Sequence, residues 1–179
     1  MGMVLGLVMG VAQGASAMAL TSPDLQPEGV FDQKFIFKGF GCEGGNLSPA
    51  LNWQDSPPET KSFALLVHDP DAPTGGAGWW HWVVYDIPAT VTALPQGAGA
   101  GDGSAMVSGA RQAGTDFGAP GWGGPCPPVG HGAHHYHFTL HALKVEKLDP
   151  PAGATASLIG FLVNANSLAH ARLTGRYGR

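Results

Sequence analysis

The sequence predicts a mainly β, antiparallel fold decorated with helix, and three observations carry that prediction. Short apolar runs recur between turn residues, and 28 Gly and 15 Pro punctuate a chain in which charged residues make up only 12%. One stretch near the C-terminus keeps a helical period. Strands do not alternate with helices, which argues against an α/β nucleotide-binding fold. The 179 residues can bury one sizeable core, and residues 18–179 read as one domain.

Taken in order, the first stretch, "MGMVLGLVMGVAQGASAMA", reads as a secretory signal over residues 1–17. An apolar run from Val4 to Ala12 leads into the small residues Ala15, Ser16 and Ala17, a pattern suited to cleavage. No later segment is apolar enough to span a bilayer, so stable membrane insertion is not expected and the predicted location is periplasmic or secreted. Strands are expected over "KFIFKGF" from Lys34, "KSFALLVHD" from Lys61, "HWVVYDIP" from His81 and "HHYHFTLHALKV" from His134. The Gly-rich stretch Leu94 to Ala110 reads as a long surface loop. In "TASLIGFLVNANSLAHARLTG", Leu158, Leu162, Ala165, Ala169 and Arg172 fall at helical spacing, with Thr155 or Ser157 as N-cap and Gly175 as the stop.

The formal net charge is −4, and Lys34, Lys38, Lys61, Lys144 and Lys147 are dispersed. No basic footprint for nucleic acid results. Cys42 and Cys126 form an even count in an exported chain, which favours a disulfide over two unrelated buried thiols. Closing a loop of roughly 85 residues would contribute about 4 kcal/mol in the chain-entropy picture. The sequence "GFGCEG" matches a dinucleotide fingerprint in form only, because Pro49 follows where the motif requires a helix.

Three segments hold candidate site residues. In "LLVHDPDAP" a strand face of Phe63, Leu65, Val67 and Asp69 runs into two carboxylates, Asp69 and Asp71, whose bland use is to accept backbone N–H groups in a turn. In "GWWHWVVYDIP", His81 shares its strand face with Val83 and Tyr85, among Trp79, Trp80 and Trp82. In "GHGAHHYHFTLH", alternation divides the histidines. His134, Tyr136, Phe138 and Leu140 point inward, while His135, His137, Thr139 and His141 form the other face. His135 and His137 have H-x-H spacing that zinc accepts, but no third ligand lies nearby in sequence, so a polar outer face is preferred and no metal is expected.

These residues resemble the phosphatidylethanolamine-binding protein family, which also includes Raf kinase inhibitor protein and plant flowering signals, and in particular its bacterial YbhB/YbcL-type branch. "GGNLSPALNW", "DPDAP", "GWWHWVVYDIP", "GTDFG" and "GPCPPVGHGAHHYHFTLHAL" carry the resemblance from Gly44 to Leu143. It implies an antiparallel β-sandwich, a large central sheet on a smaller one, with a few peripheral helices and a small anion-binding pocket. Position by position it points to Asp69, Asp71, His81, Gly124, Pro125, His134 and Tyr136. It places Trp80 on the rim, in a segment between Pro73 and His81 several residues shorter than in animal members.

The expected chemistry is a phosphate-like anion held by imidazole N–H groups of His81 and His134, the Tyr136 hydroxyl and backbone N–H groups of the Gly-rich loop. Asp69 would orient His81 or His134, and binding would tighten at mildly acid pH. The implied protein is a non-enzymatic binding protein without a cofactor, taking a small anion or phospholipid headgroup. It could also inhibit or modulate a protein partner, outside the cytoplasm a protease or host protein. The competing classes are a histidine-based hydrolase, metal-dependent or metal-free, and a scaffold acting through the loop Leu94 to Ala110.

Overall fold

A computed structural model describes residues 17–179 of the chain. Residues 1–16 of the expected signal lie outside the described residues. The elements run β1 (Ala19–Thr21), β2 (Gly29–Val30), a 3₁₀ turn (Gln33–Phe35), β3 (Lys38–Gly39), β4 (Cys42–Glu43), β5 (Leu51–Gln54), β6 (Ser62–Asp69), β7 (Trp79–Pro88), β8 (Ala93–Leu94), β9 (Arg111–Gln112), β10 (His134–Leu143), α1 (Ala156–Asn166) and β11 (Ser167–Tyr177). No helix among the described residues is long and apolar enough to cross a membrane.

A six-stranded sheet of order β2-β11-β10-β6-β7-β9 faces a three-stranded sheet, β1-β5-β8, and β3 with β4 makes a separate hairpin. The large sheet is mixed rather than wholly antiparallel, because β2 joins β11 in parallel. Its central strands are covered on both faces, which suits their nearly unbroken apolar sequences. One core lies between the sheets and includes Phe35, Leu51, Trp53, Phe63, Leu65, Val67, Trp82, Val84, Phe138 and Leu140. A second core lies under α1, where Ala64, Leu66, Val83 and Tyr85 meet Ile159 and Val163.

Two expected elements come out differently. The helix stops at Asn166, and Ser167–Tyr177 forms β11, paired along its length with β10. Helix propensity differs among ordinary residues by only a few tenths of a kcal/mol, roughly, so ten cross-strand pairs override it. The buried residues of β11 are Ala171, Leu173 and Gly175, at period two. Gly175 is therefore no helix stop: a Cβ there would approach the Phe31 ring to 2.5 Å, so glycine lets that ring pack on the strand. On α1 the buried face is Ala156, Ile159, Gly160 and Val163 rather than Leu158 and Leu162. Thr155 does cap it, its hydroxyl accepting from the Leu158 N–H at 3.2 Å.

"KFIFKGF" contributes the 3₁₀ turn and the two residues of β3 instead of one strand. "GFGCEG" turns the β3–β4 hairpin, with no helix after it. Within the expected surface loop, Leu94, Ala98 and Gly99 are buried, so only part of it is superficial.

Cys42 on β4 is bonded to Cys126 in the loop before β10, with Cα atoms 6.1 Å apart and a separation of 84 residues. The bond ties the hairpin to that loop. Replacing both cysteines by serine should lower unfolding free energy by about 4 kcal/mol in urea titrations under oxidising conditions. A loss below about 1 kcal/mol would show that packing alone holds the loop.

Candidate functional site

The C-terminal end of β6, the start of β7 and the start of β10 meet beside the disulfide loop. In antiparallel pairing β6 lies between the other two, and Asp69 sits opposite Trp79. On β7 one extra residue lies between Trp80, opposite His68, and Trp82, opposite Val67. That residue is His81. Such a bulge shifts the phase of the strand by one and re-aims the side chain. His81 consequently lies over the inter-sheet core with Trp82 and Val84, whereas Val83 and Tyr85 enter the core under α1. The expected sharing of a face by His81, Val83 and Tyr85 is corrected by this bulge.

The cavity formed here has a volume of about 310 Å³. Asp69, His81, His134 and Tyr136 make its floor, and Phe40, Trp79, Phe117, Pro127 and Pro128 make an apolar wall. Asp69 is held at both oxygens: Oδ2 accepts from His134 Nδ1–H at 2.8 Å and Oδ1 from the Asp71 N–H at 2.8 Å. Because a carboxylate only accepts, His134 Nδ1 carries the proton. Nε2 of that ring lies 3.0 Å from His131 Nδ1, the two nitrogens sharing one hydrogen bond. Of the two imidazoles considered for Asp69, it holds His134.

His81 is held by backbone instead. Its Nδ1–H donates to the Gly123 carbonyl at 2.6 Å, and Gly123 N–H donates back to the His81 carbonyl at 2.9 Å. Burial lowers its pKa to about 4, against partial support from the Gly123 carbonyl and the Asp69 charge. The ring is thus neutral at physiological pH and presents the Nε2 lone pair, not an N–H. Tyr136 lies edge-on to His81 at 5.0 Å between ring centroids. Its hydroxyl is buried with no hydrogen-bond partner among the described residues. Burial, then the charge of Asp69, raises its pKa well beyond the ordinary phenol range, so it stays a donor.

Three other expected site residues lie off the cavity. Asp71 turns away to accept from the His135 N–H at 2.8 Å and from His135 Nδ1 at 2.7 Å. Burial opposes its ionisation, but these bonds outweigh that and leave its pKa below the usual carboxylate value. Gly124 donates its N–H to Asn46 Oδ1 at 2.8 Å, and Pro125 accepts from the Phe37 N–H. A Cβ at Gly124 would fall on the Phe35 carbonyl. Pro125 fastens the loop to the segment before β3 and Gly124 to the segment after β4.

Trp79 occupies the rim position expected of Trp80. Trp80 faces the opposite side of the sheet, 4.4 Å from the His68 ring. The wall residues Phe40 and Phe117 were missed although their motifs were in view. Phe117 belongs to "GTDFG", whose Asp116 Oδ2 accepts from the Trp80 N–H at 2.7 Å, and Phe40 to the hairpin turn. Proximity across the fold is invisible in either motif alone. His135 is engaged by Asp71. Among the described residues no group of three or more His, Cys, Asp or Glu is placed to hold a metal ion. His141 is buried, contrary to its expected place on an outer face, because α1 covers part of that side of the sheet.

A β-sandwich with an apolar-walled, polar-floored pocket at the strand ends has the form of a small-ligand binding protein. Residues 21–178 match the family model described as phosphatidylethanolamine-binding protein, and the chain belongs to that family. It is 49% identical to the UPF0098 protein YbcL of Escherichia coli over 163 residues, covering 91% of this chain and 88% of YbcL. The solved structure of YbcL, described as a new member of the mammalian PEBP family, superposes with a TM-score of 0.88, covering 92% of this chain and 99% of that one at 48% identity. The E. coli protein YbhB is 46% identical over 89% of this chain and 99% of its own. LppC of Mycobacterium tuberculosis, named as a candidate lipoprotein, is 40% identical over 77% of this chain and 63% of its own.

Two measurements check this geometry. Tyr136→Phe removes a hydroxyl without a partner, so unfolding free energy should stay constant or rise by up to about 2 kcal/mol. A loss above about 1 kcal/mol would reveal a partner for it. The second concerns pH. His81 and His141 both have pKa values lowered to about 4, chiefly by burial, so in acid the unfolded chain binds protons that the folded chain refuses. Stability is therefore full above the unfolded value near 6.5 and falls as pH drops towards 4. Urea titrations should show roughly 2 kcal/mol lost per histidine between pH 7 and pH 5. A flat profile over that window contradicts the neutral, buried rings.

Proposed function

We propose that this chain is an extracytoplasmic binding protein whose pocket takes a small oxyanion, with a phosphate monoester such as phosphorylethanolamine, the free form of a phospholipid headgroup, as the favoured class. The carrying observation is the Tyr136 hydroxyl, buried at the pocket floor without a hydrogen-bond partner among the described residues. Such a group is costly unless a ligand completes it.

The floor suits a phosphate that still carries one proton. Tyr136 O–H donates to a charged phosphate oxygen. A phosphate O–H donates to His81 Nε2, which is a lone pair because Nδ1–H is held by Gly123. A second phosphate oxygen replaces His131 as the partner of His134 Nε2–H, while Asp69 on the other ring nitrogen holds the ring in place. Binding on these groups takes up a proton and tightens as pH falls. Loop N–H groups do not share in it, since those of Gly123 and Gly124 are already donated within the protein.

The walls of Phe40, Trp79 and Phe117 accommodate the organic part of such a ligand. An anionic side chain of a protein partner would enter by the same mouth, which is how occupancy would serve inhibition or modulation of a protease or host protein. A binding role suits the floor better than hydrolysis: both oxygens of Asp69 are occupied, and Cys126 is in a disulfide. The disulfide and the resemblance to a candidate lipoprotein support a location outside the cytoplasm.

Calorimetry with phosphorylethanolamine at pH 6 tests the reading. Saturable binding is expected, weakened about tenfold or more in Tyr136→Phe, whose fold is retained. Affinity unchanged in both Tyr136→Phe and His134→Ala removes the proposal.

A further inference from the structure

The opposite face of the large sheet carries a second polar cleft that the pocket does not use. We propose that this cleft, beside α1, is a second oxyanion site that takes a phosphate dianion on Arg172, His170 and His141. It has a volume of about 270 Å³, and Leu66, His68, Trp80, His137, Thr139, Asn164 also face it.

Strand register builds it. Across the adjacent strands β6, β10 and β11, His68 lies opposite His137, Leu66 and Arg172 flank Thr139, and His141 lies opposite His170. All therefore project from one face. The rings of His141 and His170 are 5.5 Å apart between centroids.

The donors left over point to an anion. Arg172 uses only Nε, which donates to Thr139 Oγ1 at 3.1 Å, and it pairs with no carboxylate among the described residues. Its terminal N–H groups form the fork that suits phosphate. The Ser167 hydroxyl donates to the Ala169 carbonyl, so its oxygen accepts from His141 Nδ1–H at 3.0 Å. That leaves Nε2 of His141 for a ligand. His170 makes no side-chain hydrogen bond among the described residues.

Among the described residues no carboxylate lines the cleft, so a cation would meet Arg172 without compensation. The charged and titratable groups facing His141 are His68 from β6, His137 from β10, and His170 and Arg172 from β11. β7 presents only the Trp80 indole, and α1 carries no charged residue. The nearest influences from further away reach His137: His135 opposes its protonation, and Asp71 and Glu28 favour it. Burial and then the positive neighbours hold His141 unprotonated in the empty cleft. A bound dianion reverses that balance, so binding draws a proton onto the cleft.

The site is tested by histidine ring NMR in Tyr136→Phe protein, which leaves this cleft intact while weakening the first pocket. Titration with inorganic phosphate should move the His141 and His170 signals saturably and raise their pKa values. Arg172→Gln should weaken that response about tenfold or more while leaving the His81 and His134 signals of otherwise wild-type protein responsive. His170→Gln is the second variant if Arg172→Gln does not fold, and it should also weaken the response. Phosphorylethanolamine in a parallel titration separates a phosphomonoester source from free phosphate. Signals of His141 and His170 unmoved by either compound, affinity unchanged in both variants, or tighter binding of zinc alone at these two rings overturns the proposal.

Discussion

Strand β10 lies between β6 and β11 with both of its faces covered, so each side chain along it must satisfy one of two environments. His134, Tyr136, Phe138 and Leu140 belong to the space between the sheets. His137, Thr139 and His141 belong to the side under α1. Because side chains alternate, no residue can be moved to the other environment without shifting the register of the whole strand. Of the five histidines in "GHGAHHYHFTLH", His134 thereby lines one cavity and His137 and His141 the other, while His131 and His135 line neither.

The β7 bulge borders the first cavity. His81 keeps the pocket face it shares with Trp79, while the bulge turns Trp82 to that same side and sends Val83 and Tyr85 under α1. The floor is also insulated by its own hydrogen bonds. Asp69 is held by His134 and Asp71, and His81 Nδ1 by Gly123, which leaves the Tyr136 hydroxyl and His81 Nε2 as the floor groups without a partner among the described residues. Buried polar groups are normally paired. The disulfide and the glycine at 124, which admits the Phe35 carbonyl, hold the neighbouring loop against the β3–β4 hairpin, so Pro127, Pro128 and Phe40 meet across the mouth.

Much of the fold could be read from local pattern. "KSFALLVHD", "HWVVYDIP" and "HHYHFTLHAL" are apolar runs bounded by turns, and they became the central strands. The floor residues Asp69, His81, His134 and Tyr136 were reached jointly by strand period and family resemblance. What escaped reading depended on the third dimension. Ser167–Tyr177 contains Leu, Ala and Arg, which favour helix locally, yet pairing with β10 makes it a strand. A bulge changes the face of every later residue without leaving a distinctive composition at His81. Asp71, Gly124 and Pro125 sit beside floor residues in sequence but serve the frame of the pocket. Phe40 and Phe117, 6.0 Å apart between ring centroids, are distant in sequence.

The most direct measurement is a crystal structure of the protein grown at pH near 6 with phosphorylethanolamine. A phosphate oxygen about 3 Å from the Tyr136 hydroxyl is expected, with His131 displaced from His134 Nε2. A ligand bound elsewhere, with the Tyr136 hydroxyl still unpartnered, would contradict it.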